Sequence, residues 1–209
     1  MAWGKLYLII LHNDEAVEEA AQDYKAWYKM DKQHNHSIFG DFDDECQLLT
    51  AESISALNKV TSVDKITVIS HSNQDGSRIM VKGKGSFDGA GAAKYFYEAG
   101  VRKAGLITFK CCLLGKSRFL EEFREGCINK IEVGFLKGYL GETLTVRKWA
   151  FFGDLGPTRD KPYELIGGTP TDEAHRNAQE NRYRAINGVN ATAVTGREYR
   201  QAWDRQHIQ

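Results

Sequence analysis

Two residue types on this chain can do nucleophilic chemistry together. His71 stands directly after the apolar run KITVIS, and Cys112 stands directly after LITFKC, 41 residues further on. A cysteine nucleophile needs a thiolate near neutral pH, a base or cation to support it, and N–H donors for the oxyanion. If the two runs are neighbouring strands, imidazole and sulfur leave the same sheet edge. The histidine can then take the thiol proton and later protonate a leaving amine. Backbone N–H groups at Ser72 and Cys112 would face the space where a tetrahedral oxyanion forms. The competing reading is plain packing, since cysteines fill cores well and a turn histidine can be satisfied by its own backbone. Cys111 is the alternative nucleophile if the register slips by one.

The elements that must position these residues are legible as strands and helices in alternation. KLYLIIL (5–11) is a continuous apolar run, read as a buried strand. NDEAVEEAAQDYKAWYKM follows with helical spacing, acidic residues in its first turn, and Asn13 or Asp14 as cap. KITVI is a second buried strand, broken by Asn73, Asp75 and Gly76. RIMVKGKG reads as a hairpin and SFDGAGAAKYFYEAG as a helix with Gly100 just beyond its end. After the strand ending at Lys110, KSRFLEEFREG places Phe119, Leu120 and Phe123 on one helical face. KIEVGFLKGYLGETLTVRKWAFFG supplies two or three more strands. Beyond Asp154 the chain turns polar, and TDEAHRNAQENRYRAI reads as a helix. The pattern predicts an α/β fold with a mostly parallel central sheet flanked by helices on both faces. In such sheets chemistry gathers at the carboxyl ends of the strands, where both SHSNQDG and CCLLG sit.

Composition sets the outer bounds. With 209 residues, 42% hydrophobic and 27% charged, the chain is long enough for a sizeable core. Its net charge of zero gives no global argument for nucleic acid or for a membrane. Residues 101–150 nevertheless carry ten basic and five acidic side chains, so that stretch is +5 and the remainder −5. That asymmetry points to a local anionic partner, against the simpler reading of a solvated helix face. Four cysteines show no CxxC and no metal-ligand spacing with histidine, and the N-terminal apolar run is too short for a membrane span. Reduced thiols in a cytoplasmic setting, or in a host cytosol after secretion, are expected.

The pattern strand–His, then strand–small–Cys–x–x–Gly, resembles the caspase-like (clan CD) cysteine peptidases. VISHS stands where that clan has an apolar strand ending in His-Gly, and FKCCLLG stands where it has its cysteine block, with Gly115 closing the turn. The order of pieces is similar to the autoprocessing cysteine protease domain of MARTX and clostridial glucosylating toxins. The resemblance covers roughly two-thirds of the chain and implies a three-layer peptidase domain at 1–153, with a partly helical extension at 154–209. It further implies a Cys112–His71 dyad, an oxyanion hole from the N–H groups of Ser72 and Cys112, and a polypeptide substrate, either this chain itself or a host protein. GETLTVRKWAFFG lies where those domains carry a β-flap that binds inositol hexakisphosphate as an allosteric activator. Lys110, Lys116, Arg118, Lys137, Arg147 and Lys148 would then supply the positive charge. No cofactor or metal is required by this chemistry.

Two departures keep other readings open. Ser72 stands in place of the clan's glycine, and Lys110 and Cys111 precede the nucleophile where smaller or uncharged residues are usual. A catalytically inactive binding protein on the same fold is one alternative, and a cysteine-dependent acyltransferase or deamidase is another. Weaker signals add little. KGKGSFDGAGAAKYF lacks a phosphate-loop pattern and reads as a turn and helix start. HNH at 34–36 lacks carboxylate or cysteine neighbours for a metal. His12 could line the same sheet edge but fits a capping or packing role. Asp75 could orient His71, though turn formation accounts for it.

Overall fold

The computed structural model describes residues 6–12, 14, 17, 36–39, 57–140, 143–146, 163–166 and 183–189. Strands β1 (Leu6–Ile10), β2 (His36–Phe39), β3 (Lys65–Ile69), β6 (Lys103–Lys110), β7 (Glu132–Tyr139) and β10 (Tyr183–Val189) form one sheet in the order β10-β7-β6-β3-β1-β2. Every neighbouring pair is parallel except β7 and β10. β4 (Ile79–Val81) and β5 (Gly85–Phe87) make a small hairpin, and β8 (Thr143–Val146) pairs antiparallel with β9 (Tyr163–Ile166). The described helices are α1 (Gly89–Glu98) and α2 (Phe119–Cys127). The fold is therefore α/β with a mostly parallel sheet, as the alternating pattern predicts.

The strands are near-continuous apolar runs because both of their faces are buried. On one face, Tyr7, Ile9, Ile66, Val68, Ile107, Phe109 and Leu136 form a single core with Ala92, Ala93 and Phe96 of α1 and Phe119, Leu120 and Phe123 of α2. Phe109 is its hub, meeting Phe96, Phe119 and Phe123 edge-on at centroid separations of 6.2, 5.1 and 5.0 Å. Asp88 caps α1 by accepting from the Gly91 N–H, and the helix stops before Gly100, whose φ is 96°. The opposite face carries Leu8, Ile10, Ile69, Leu106, Phe135 and Tyr139, also buried. It is interrupted by a polar stripe of Lys65, Thr67, Thr108 and Lys137, all buried, with Thr67 opposite Thr108 and Thr108 opposite Lys137.

Two elements differ from the sequence reading. Residues 183–186, expected in a helix, belong to β10, which extends the central sheet beside β7. The strand wins because Ile186 and Val189 pack on the core while Arg184 reaches Glu121 of α2. Those are contacts between distant parts of the chain, and they override local helix preference. β9 likewise comes from beyond residue 154, and with β8 it forms a two-stranded ribbon where a β-flap was expected.

Strand order changes direction at β1. The chain leaves β1 to pair β2 on one side, then crosses to β3 on the other and continues to β6 and β7. A crevice opens outside the carboxyl ends of the two strands at such a switch point, and ligands bind there. Here that crevice lies beyond β1 and β3.

Candidate active site

Three loops meet at this crevice. β1 runs on to Leu11, whose N–H donates to the Ile69 carbonyl at 3.0 Å, so His12 and Asp14 emerge beside the end of β3. β3 ends at Ile69 and delivers His71. β6 pairs with β3 through Ile69 opposite Lys110 and delivers Cys112 two residues on. The expected adjacency of the two strands is thus present.

The His71 turn is braced on its far side by β4. Met80 N–H donates to the His71 carbonyl at 2.9 Å, Asn73 N–H donates to the Arg78 carbonyl at 3.1 Å, and Ser70 Oγ donates to the Met80 carbonyl at 2.6 Å. Ser72 faces Ile79 in an antiparallel bridge between those two bonds, so its own N–H points away from β4. Ser72 does not have a positive φ, and no glycine is needed at that position. Its hydroxyl instead donates to the Cys112 carbonyl at 2.5 Å. The serine that departs from the clan's glycine ties the histidine turn to the cysteine turn.

The Cys112 turn is tight. Leu113 has φ 59°, a left-handed conformation that costs a side-chain-bearing residue about 1–2 kcal/mol. Such strain persists only when neighbours hold it. Lys116 N–H donates to the Leu113 carbonyl at 2.8 Å, Gly115 N–H to the Tyr139 carbonyl at 2.7 Å, and Ser117 Oγ to the Gly76 carbonyl at 2.6 Å. Glycine is required at two points. A Cβ on Gly115 would meet the Gly138 oxygen at 2.4 Å, and one on Gly76, whose φ is 71°, would meet the Leu113 oxygen at 2.4 Å. Arg184 of β10 adds donors to the Gly115 and Ser117 carbonyls at 3.4 and 3.2 Å.

The two adjacent cysteines have opposite environments. Cys111 is 1% exposed within the core, and burial, followed by the neighbouring Cys112, raises its thiol well above the ordinary cysteine value. Cys127, at the end of α2, is pushed up to about 12 by burial, against a smaller lowering by Lys130. Cys112 is half-buried at the sheet edge, and none of the three is in a disulfide. Cys46 lies outside the described residues.

His71 has a carboxylate partner that the sequence reading did not assign. Its Nε2 is hydrogen-bonded to Asp14 Oδ2, while Asp14 Oδ1 accepts from the Val17 N–H at 3.0 Å. Burial pushes the Asp14 carboxyl up, but the Val17 N–H and the two histidines outweigh it and hold the group below its ordinary value. An Nε2–H donated to this carboxylate leaves Nδ1 with a lone pair, the arrangement a general base requires. Asp75 is held by its turn, accepting from the Ser77 N–H at 2.9 Å. His12 lies edge-on to His71 at a centroid separation of 5.3 Å. The available signal for Asp14 was its position just past a strand adjacent to β3. Its role as a helix cap supplied a sufficient local explanation and hid the other.

The basic residues occupy several places. Lys110 and Lys137 project from β6 and β7 on the same sheet face, and Lys110 Nζ donates to the Tyr139 hydroxyl while lying 4.6 Å above its ring. Burial, then Lys110 and Lys65, drives the Lys137 ammonium well below its usual range. Lys116 and Arg118 are exposed in the turn leading into α2. Arg147, Lys148 and His34 lie outside the described residues, while His36 begins β2. No described helix is long and apolar enough to cross a membrane.

No family model matches the sequence, and no curated protein matches it. Among solved structures, the chain is similar to a secreted C11 cysteine protease from Bacteroides thetaiotaomicron in complex with an irreversible peptide inhibitor. The two are 11% identical with a TM-score of 0.40, over 67% of this chain and 49% of that one. This chain therefore spans about half the length of that structure.

Proposed function

We propose that the protein is a cysteine endopeptidase with Cys112 as nucleophile and His71 as general base and acid. One observation carries the reading: at the crevice, the Cys112 turn is bound to the His71 turn through Ser72 Oγ, while Asp14 engages the far nitrogen of the imidazole. The Cys112 thiol passes its proton to His71 Nδ1 and the sulfur attacks the scissile carbonyl. N–H groups of Ser72 and Cys112 receive the oxyanion. The imidazolium, stabilised by Asp14, protonates the leaving amine, and a thioester remains on Cys112. A water activated by the same histidine then releases the acid and restores the thiol. Asp14 is a positioning residue in this scheme.

The likeness of layout to the toxin domains extends the proposal to cleavage of its own chain and to activation by an anionic ligand such as inositol hexakisphosphate. Lys110, Lys116, Arg118, Arg147 and Lys148 would supply the charge for that site; Lys137, expected there from the sequence, is buried in the sheet with its ammonium disfavoured and is left out.

A peptidyl acyloxymethyl ketone, with the adduct located by mass spectrometry, tests the chemistry. Label is expected on Cys112 alone, falling by about a hundredfold or more in His71→Ala. Labelling spread equally to Cys46, or its absence under all peptide sequences tried, would refute the peptidase and favour a binding protein. For the activator, saturating inositol hexakisphosphate should stabilise the fold by more than about 1 kcal/mol, and no shift removes that part of the proposal.

A further inference from the structure

The crevice holds more than a base and its orienting carboxylate. His12, Asp14 and His71 each offer one ligand atom, and those atoms all lie within 4.8 Å of one another. His12 Nδ1 lies 3.1 Å from Asp14 Oδ2, and this buried atom has no hydrogen-bond partner among the described residues. A buried imidazole nitrogen beside a carboxylate oxygen with no hydrogen bond to it is an unsatisfied group that asks for an explanation. Peptide hydrolysis at Cys112 does not use His12.

We propose that His12 Nδ1, Asp14 Oδ2 and His71 Nε2 form a binding site for a divalent transition ion of the Zn2+ type, which switches the dyad off. Two imidazoles and one carboxylate suit Zn2+ and its first-row neighbours, whereas Ca2+ and Mg2+ prefer all-oxygen shells. Ligand bonds near 2.0–2.1 Å at tetrahedral angles set the ligand atoms about 3.3 Å apart. The His12–Asp14 pair already approximates that spacing, and the Asp14–His71 hydrogen bond must open to admit the ion. The β1 ladder and the β4 brace fix both histidine turns, so little ordering is left for the ion to impose.

The inhibition follows from the tautomer. With Asp14 as partner, the ring proton of neutral His71 sits on Nε2 and Nδ1 is basic. With a metal on Nε2, that proton must reside on Nδ1, which becomes a donor and has no lone pair for the Cys112 proton. The ion thus silences the thiol without touching the sulfur. The binding site stands on its three ligands alone, while the silencing also rests on the proposed dyad.

Chelator-treated full-length protein titrated with Zn2+ by calorimetry, and with Co2+ by its visible spectrum, tests the site. One ion per chain is expected, with Ca2+ and Mg2+ about a hundredfold weaker or more. His12→Gln and Asp14→Asn, each checked for folding by circular dichroism, should lower affinity by about tenfold or more, and Cys112→Ala should leave it unchanged. Absent saturable binding, loss of binding in Cys112→Ala, equal binding of Ca2+, or insensitivity to both ligand substitutions would each overturn the site. In a separate arm, bound Zn2+ should slow iodoacetamide alkylation of Cys112 by about tenfold or more and move the His71 ring proton to Nδ1 by nitrogen NMR. An unaltered alkylation rate with Zn2+ bound would overturn the silencing, whereas metal-free labelling by the acyloxymethyl ketone judges the peptidase by itself.

Discussion

A single carboxylate shows how one residue can serve two scales. Asp14 Oδ1 accepts from the Val17 N–H while Oδ2 holds the imidazole of His71. Asn at this position keeps an acceptor for the backbone and loses the charge that supports the imidazolium. Asp14→Asn is therefore expected to lower kcat on a peptide substrate, or the rate of Cys112 labelling, by about 10–100-fold with KM and thermal stability little changed. A fall in stability with an unchanged rate would assign Asp14 to the helix start alone. The placement of His71 and Cys112 after neighbouring strands was legible in the sequence because each follows an apolar run, and runs of that kind become neighbours in a parallel sheet. Asp14 was not legible, since a cap is explained within four residues of chain and gives no hint of a partner 57 residues away.

At the scale of elements, the site depends on two turns pressed together with no room for a methyl group. Gly115 closes the cysteine turn against β7, and its N–H bonds to Tyr139 while its Cα faces the Gly138 carbonyl. Gly115→Ala places a Cβ 2.4 Å from that backbone oxygen, which no rotamer relieves. The expected cost is about 1–3 kcal/mol in urea unfolding, with Cys112 labelling reduced beyond the loss of folded protein. The glycine itself was visible in the sequence as the end of CCLLG. What it meets was not, because Gly138 and Tyr139 of β7 lie more than twenty residues later and their register against the turn is a tertiary fact.

For the molecule as a whole, the sheet buries a lysine it must neutralise. Lys137 is 3% exposed and its ammonium is driven down by burial and by two further lysines, while in the unfolded chain it titrates near 10.5. Between those two values the unfolded state binds the proton and the folded state does not, so stability rises with pH across that window and levels off above 10.5. Lys137→Met should flatten this slope in chemical unfolding at stepped pH; a wild-type slope retained by the variant would place the linkage elsewhere. The alternation that identified the α/β class concealed this residue, since GFLKGY reads equally as a strand with one face in water. β10 was concealed for the same reason: its pairing partner lies more than forty residues back in the chain. Arg184→Ala tests that placement. It removes donors to Gly115, Ser117 and Glu121, and about 1 kcal/mol of stability together with a disproportionate loss of Cys112 labelling is expected. Labelling that fell only in step with stability would make β10 a passive edge.

Because β10 is stitched to the sheet by its backbone ladder with β7 and by the Arg184 side chain, continuity of the peptide between the ninth and tenth strands is not what keeps it there. A nick in residues 167–182 would yield two polypeptides that migrate together until denatured. The shorter fragment would still prop the loop that carries Cys112, so a severed molecule would keep that loop in place.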